Sequence, residues 1–192
     1  PENHIINPIS PYSKTKHIIE YAVEDYSKAY GLKATIFRYF NACGSISSIH
    51  GQDPEATHIF ARLFESYLNN EPFKLYGQDY STLDGTCIRD YVHVRDLATA
   101  HILAIENNID GIYNLGTGRG FSNLEVINKF KERFDVKVEE LPRRIGDAEC
   151  LVADIFHAKK MLGWEPKQTM DDIINDLNKW YKSDNYRGRL NG

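Results

Sequence analysis

Tyr12 and Lys16 stand four residues apart in the segment PYSKTK. On a helix an i, i+4 pair shares one face, so the phenol and the ammonium can act together. A cation beside a phenol favours the phenolate, and a phenol assisted in this way can serve as general acid or base. Tyr and Lys fall four apart on ordinary surface helices as well, so the pair alone leaves both readings open.

A second feature is GTGRG at 116–120, between a strand-like and a helix-like stretch. It lacks the third glycine of a dinucleotide-binding G-x-G-x-x-G, because Phe121 occupies that position. We read it as a loop turning tightly into the Ser122 helix. His93 and the other six histidines show no HExxH or similar spacing, and Cys43, Cys87 and Cys150 show no CxxC. The expectation is structural histidines, buried free thiols, and no metal site.

The elements that must position these residues alternate between helix and strand, which implies an α/β protein. Ser10-Pro11 is a helix start and Gly31 a helix end, so a helix is expected over 11–30. Leu32 to Phe40 is apolar, aromatic and β-branched, as in a strand buried on both faces. It places Asn41 at a strand's carboxyl end. Helices are expected near 56–69, 95–108, 123–134, 155–162 and 170–182, and strands at 73–76, 87–94, 112–116 and 136–141. Ser122 and Glu125 form a capping box before the 123–134 helix.

Composition is that of an ordinary globular chain: 192 residues, 42% hydrophobic, 26% charged, net charge −4. A broad basic field is absent, so nucleic acid is not an expected partner. No run of about 18 apolar residues occurs, and no membrane segment is expected; cytoplasm is the default location. The segment PENHIINPISPY, beginning at Pro1, reads like the middle of a protein, and the expectation is that an N-terminal part is missing.

Taken in order, PYSKTK, RYFNACG, GQDYSTLDGTCIRDYVHVRDLATAH, YNLGTGRG, PRRIGD and LGWEP resemble the UDP-glucose 4-epimerase branch of the extended short-chain dehydrogenase/reductase superfamily. The resemblance runs from Pro8 to about Trp180. It implies interconversion of UDP-glucose and UDP-galactose, with transient hydride transfer to bound NAD through a 4-keto sugar. Tyr12 is then the acid/base tyrosine and Lys16 the lysine that bonds the nicotinamide ribose, both also touching the cofactor. Tyr39 and Phe40 fall beside the nicotinamide. Asn41 falls beside the substrate diphosphate.

The resemblance further assigns Arg89 and Arg144 to the diphosphate and Asp147 to the uridine ribose. A guanidinium fork suits phosphate oxygens. The alternatives are an Arg89–Asp90 ion pair and a solvated Arg143-Arg144 loop. Tyr76 matches an aromatic near the uracil, and His58-Ile59 a backbone contact. Leu151 falls where side-chain bulk decides whether an N-acetyl group fits; its size implies preference for UDP-glucose and UDP-galactose, with acetylated sugars undecided.

The implied architecture is the C-terminal part of an NAD-binding Rossmann domain, with a partial parallel sheet, plus a smaller α/β substrate-binding domain. Residues 1–55 would belong to the former. Residues 56–192 would mainly bind the UDP-sugar, with 92–117 returning to the Rossmann sheet. A complete enzyme would be a homodimer, and the isolated chain would be inactive for want of the N-terminal NAD-binding half. Two other readings stand beside this one: a non-catalytic nucleotide-sugar-binding fragment, and a related nucleotide-sugar 4,6-dehydratase or epimerase.

Overall fold

The computed structural model describes residues 1–186 except 9, 49, 52–56 and 145. Its first helix, α1 (Pro11–Tyr30), has the ends its sequence dictates. The Ser10 hydroxyl accepts from the Ser13 amide at 3.1 Å, Ser13 Oγ accepts from the Ser10 amide at 3.0 Å, and Gly31 closes the helix at φ 68°. No residue of α1 is fully buried. Its half-buried side carries Ser13, His17, Glu20, Val23 and Ser27, and the Glu20 carboxylate takes two hydrogen bonds from the Arg38 guanidinium.

The chain continues through β1 (Thr35–Tyr39), β2 (Asn41–Cys43), α2 (Ile59–Asn69), β3 (Phe73–Tyr76), β4 (Ile88–His93), α3 (Val94–Glu106) and β5 (Gly111–Leu115). Then follow β6 (Gly120–Ser122), α4 (Asn123–Lys131), β7 (Val138–Leu141), β8 (Cys150–Leu151), α5 (Phe156–Leu162) and α6 (Met170–Tyr181). β1 pairs with β5, β2 with β4, β3 with β7 and β4 with β8, all parallel; β6 joins β4 antiparallel. The fold is α/β with parallel sheets.

The expected strand over 32–40 is corrected in two respects. It begins at Thr35, and its residues are half-buried, with Tyr39 exposed. Pairing with β5 supplies β1 with one neighbour, and the ladder ends when the Phe40 amide donates to the Leu115 carbonyl at 3.0 Å. Beyond Phe40 the chain changes partners, and Asn41 pairs with Tyr91 of β4. Cys43 and Cys87 are buried as expected, but Cys150 is exposed, because β8 is a two-residue strand with both residues at the surface.

Alternation along β4 separates two cores. Tyr91 enters a cluster with Phe60, Leu63, Phe64, Phe130, Ile174 and Trp180 from α2, α4 and α6. Its neighbour Val92 enters another, with Leu97, Tyr113, Leu115, Ile155 and Trp164, flanked by Phe37 and Phe40.

His93 ends β4 fully buried. Its Nδ1 accepts from the Arg95 amide at 3.0 Å and so caps α3; its Nε2 lies 3.5 Å from Asp176 of α6. Burial pushes this imidazole below its ordinary value. The ring lies so close to Gly44 that a Cβ there would sit 2.5 Å from Nε2. Ser45 completes the junction, its hydroxyl donating to the Asp176 carbonyl at 2.7 Å. No helix among the described residues is long and apolar enough to cross a membrane.

Candidate active site

A cleft of about 470 Å3 opens between the start of α2, strand β3, strand β4 and the segment carrying Arg144 and Asp147. Asn41, His58, Ile59, Tyr76, Arg89, Arg144 and Asp147 all line it. Asn41 reaches it because β2 lies against β4, and its side-chain amide donates to the Asp90 carbonyl at 3.2 Å. His58 is the N-cap residue of α2, so the helix's positive end faces the cleft. Desolvation at this rim holds the His58 imidazole below its ordinary value.

Two arginines line the cleft. Arg144 stacks on Tyr76, its guanidinium carbon 3.9 Å from the ring centroid. Arg89 donates through Nη1 to its neighbour's carbonyl at Ile88, 2.8 Å away. Asp90, next in the strand, faces the other way, as strand alternation requires. The Arg89–Asp90 ion pair, one of the sequence alternatives, does not form. Arg143 pairs with Asp79 at 3.3 Å, both side chains more than half exposed, a weak contact by its exposure.

The Asp90 carboxylate, from a residue with 0% exposure, instead fills the loop GTGRG. It accepts from the Thr117 amide and hydroxyl, each at 2.7 Å, from the Gly118 amide at 3.0 Å and from the Ala153 amide at 3.2 Å. Only glycine fits at 116, where a Cβ would lie 2.5 Å from Asp90 Oδ2. The loop is therefore an anion cradle, and its anion is internal. Sequence spacing denied it a dinucleotide; the carboxylate supplies the physical reason.

The remaining predicted residues lie outside the cleft lining. Tyr12 is 72% exposed near the start of α1, and the Lys16 ammonium lies over its ring, 5.3 Å from the centroid. Phe40 packs against the second core. Tyr39 projects on the β1 face opposite Arg38, toward α3, where its hydroxyl and His101 Nε2 are 2.7 Å apart. Leu151 is 48% exposed and is the register partner of Arg89 across the parallel β4–β8 ladder.

Sequence reasoning missed Cys87, Tyr91 and Asn123, which also line the cleft. Tyr91 was accessible to it, being two residues from Arg89 and so on the same strand face. Asn123 carried no signal: it arrives at the start of α4, where its side chain donates to Cys87 Sγ at 3.2 Å. Burial raises both the Cys87 thiol and the Tyr91 phenol above their ordinary values.

Two arginines, an aromatic platform and a helix N-terminus thus meet in one cleft of an α/β scaffold with parallel sheets, groups of the kind that can hold a phosphate. Residues 1–116 match the family of NAD dependent epimerases/dehydratases, and the chain belongs to that family. It is 41% identical to a UDP-glucose 4-epimerase of Lactobacillus helveticus over 192 residues, 95% of this chain and 58% of that protein. The UDP-glucose 4-epimerase of Brucella ovis, solved with NAD, superposes at TM-score 0.85 and 39% identity, over 91% of this chain and 57% of that one. The enzyme of Thermotoga maritima, solved with UDP-glucose, superposes at 0.82 and 34% identity, over 95% and 56%. The chain thus spans less than two thirds of the length of these relatives.

Proposed function

We propose that this chain carries the acid/base and UDP-sugar-binding residues of a UDP-glucose 4-epimerase. The observation that supports the reading best is the convergence of Asn41, Tyr76, Arg89, Arg144 and Asp147 on one cleft. Arg89 and Arg144 grip the diphosphate, Tyr76 lies near the uracil, and Asp147 accepts from the uridine ribose. Asn41 and the start of α2, at His58 and Ile59, complete the diphosphate and nucleotide contacts. Leu151, beside Arg89, sets the room left for the sugar and favours UDP-glucose and UDP-galactose.

Tyr12 and Lys16 present an exposed phenol and ammonium on one helix face, which fits the nicotinamide-ribose end of NAD. The amides of the GTGRG loop do not fit its pyrophosphate, since they are bound to Asp90. When bound, NAD supplies a reversible hydride acceptor for C4 of the sugar. Tyr12 takes the proton from the sugar 4-hydroxyl and returns it after the 4-keto sugar has turned over. Lys16 holds the ribose and stabilises the phenolate of Tyr12. Tyr39 and Phe40 belong to the nicotinamide side through their place in β1 and at its end.

Residues 1–55 are read as part of the NAD-binding domain and 56–192 as mainly UDP-sugar-binding, with 92–117 in the NAD-binding sheet. A homodimer and a cytoplasmic location belong to the same reading. One observation favours a second reading for this chain by itself, nucleotide-sugar binding without turnover: its one glycine-rich loop among the described residues is already occupied by Asp90. Calorimetric titration with UDP and an epimerisation assay, with and without added NAD, separate the two. UDP binding without epimerisation selects the second; absence of UDP binding sinks both.

A further inference from the structure

Tyr80 lies on the loop between β3 and β4, 6% exposed, with its backbone amide bonded to the Gly85 carbonyl at 3.0 Å. Its hydroxyl is shielded from solvent and has no hydrogen-bond partner among the described residues. A buried donor left unpaired carries a cost that folding ordinarily avoids. Tyr80 is therefore an unexplained group, and nothing in the catalytic scheme above uses it.

Its surroundings indicate what it serves. The ring lies under the segment that carries Arg144 and Asp147: Arg143 stacks over it at 5.5 Å, and Gly77 brings the backbone so near that a Cβ there would be 2.5 Å from Tyr80 and 2.6 Å from Arg143. The next residue, Ser81, donates its amide to Glu149 at 3.2 Å, and the Glu149 carbonyl accepts from Ile88 at 2.8 Å. Both ends of the segment are thus tied down, by the Leu141 carbonyl accepting from Gly77 and by Glu149. Between them stands Gly146, at φ 88° with open space around it, immediately before the exposed Asp147. Among the charged groups acting on the Tyr80 phenol, which burial raises above its ordinary value, Asp147 leads.

We infer that Tyr80 is a positioning residue of the nucleotide cleft, its buried hydroxyl donating to the Asp147 carboxylate when a nucleotide is bound. The bond holds Asp147 in the orientation that accepts from a ribose. This rests on the nucleotide reading of the cleft.

The test is a double-mutant cycle on the full chain, with UDP affinity measured by calorimetry for wild type, Tyr80→Phe, Asp147→Ala and the double variant. Tyr80→Phe is expected to weaken UDP binding about three- to tenfold, the worth of one ordinary hydrogen bond. In the Asp147→Ala background the same change should alter affinity by less than about twofold, because the acceptor is gone. Without UDP, Tyr80→Phe should melt at the same temperature as wild type or higher, since it deletes an unpaired buried donor. Unchanged affinity in Tyr80→Phe, full additivity in the cycle, or a lower melting temperature without UDP overturns the inference while leaving the nucleotide reading intact. Absence of UDP binding by the wild-type chain removes that reading and this one together.

Discussion

Arg38 on β1 holds Glu20 on α1 through two parallel hydrogen bonds, Nε to Oε1 at 2.8 Å and Nη2 to Oε2 at 2.6 Å. Arg38 Nη1 also donates to the Glu2 carbonyl at 2.9 Å. Because α1 has no fully buried residue, this fork is its principal attachment to the sheet, and through it the Tyr12 and Lys16 pair is placed. Glu20→Gln is expected to cost about 1.5–3 kcal/mol of attachment, the range for hydrogen bonds to charged groups. Protease cutting within 11–30 should rise before the remainder of the chain unfolds; equal protection of α1 in the variant counts against the assignment.

The same pair sets a pH dependence. Hydrogen bonding to Arg38 holds the Glu20 carboxyl below its ordinary value of 4.5, with burial opposing. A carboxylate whose pKa is depressed by folding stabilises the native state above its unfolded pKa and loses that contribution as pH falls through the folded one. Protection of α1 from hydrogen exchange should therefore be constant near neutral pH and decline below about 4.5, with Glu20→Gln flattening the decline. An unchanged decline in the variant would assign it to other carboxyls.

Arg144 offers a stacked guanidinium, which lysine cannot copy. Arg144→Ala should weaken UDP binding roughly ten- to hundredfold, and Arg144→Lys should recover little of it. Full recovery by lysine would mean that charge alone matters and that the Tyr76 platform is incidental.

Tyr12 is exposed, so its replacement separates chemistry from stability. In an epimerase completed by its NAD-binding part, Tyr12→Phe should lower kcat by ~10²-fold or more, with an unchanged melting temperature. Near-normal turnover would remove Tyr12 from the acid/base role.

Asp90 satisfies three backbone amides and one hydroxyl from within the protein. Asp90→Asn puts a donor where acceptors are required and should lower the urea midpoint by an amount equivalent to roughly 2–3 kcal/mol. Gly116→Ala, which forces a Cβ against the same carboxylate, should act in the same direction. Wild-type midpoints in both variants would contradict the internal-anion account.

Local signals were the legible ones. Ser10, Pro11 and Gly31 mark both ends of α1, and Ser122 with Glu125 mark the start of α4, because capping is decided within one turn. The change of partner at Phe40 was not legible, since it depends on pairings such as Asn41 with Tyr91 and Tyr39 with Leu115, far along the chain; that spacing is a property of pairing and leaves no trace in composition. Strands as short as β6 and β8 show no periodicity to detect. In the site, family resemblance named the residues that meet in the cleft, whereas the inward turn of Asp90 followed from simple alternation after Arg89. Tyr80 escaped notice because an unpaired hydroxyl is visible only once its neighbours are in place.

The Ser45 to Asp176 bond joins residues 131 positions apart, and His93 meets the same aspartate from the end of β4. Closing so long a loop is entropically expensive and is a late event in chain condensation. During synthesis, the turn after Asn41–Cys43 must wait for α6 to emerge before it can be fixed. Until then the apolar faces of α2 and α4 lack their third partner, and nascent chains halted short of Asp176 are the ones expected to need chaperone protection.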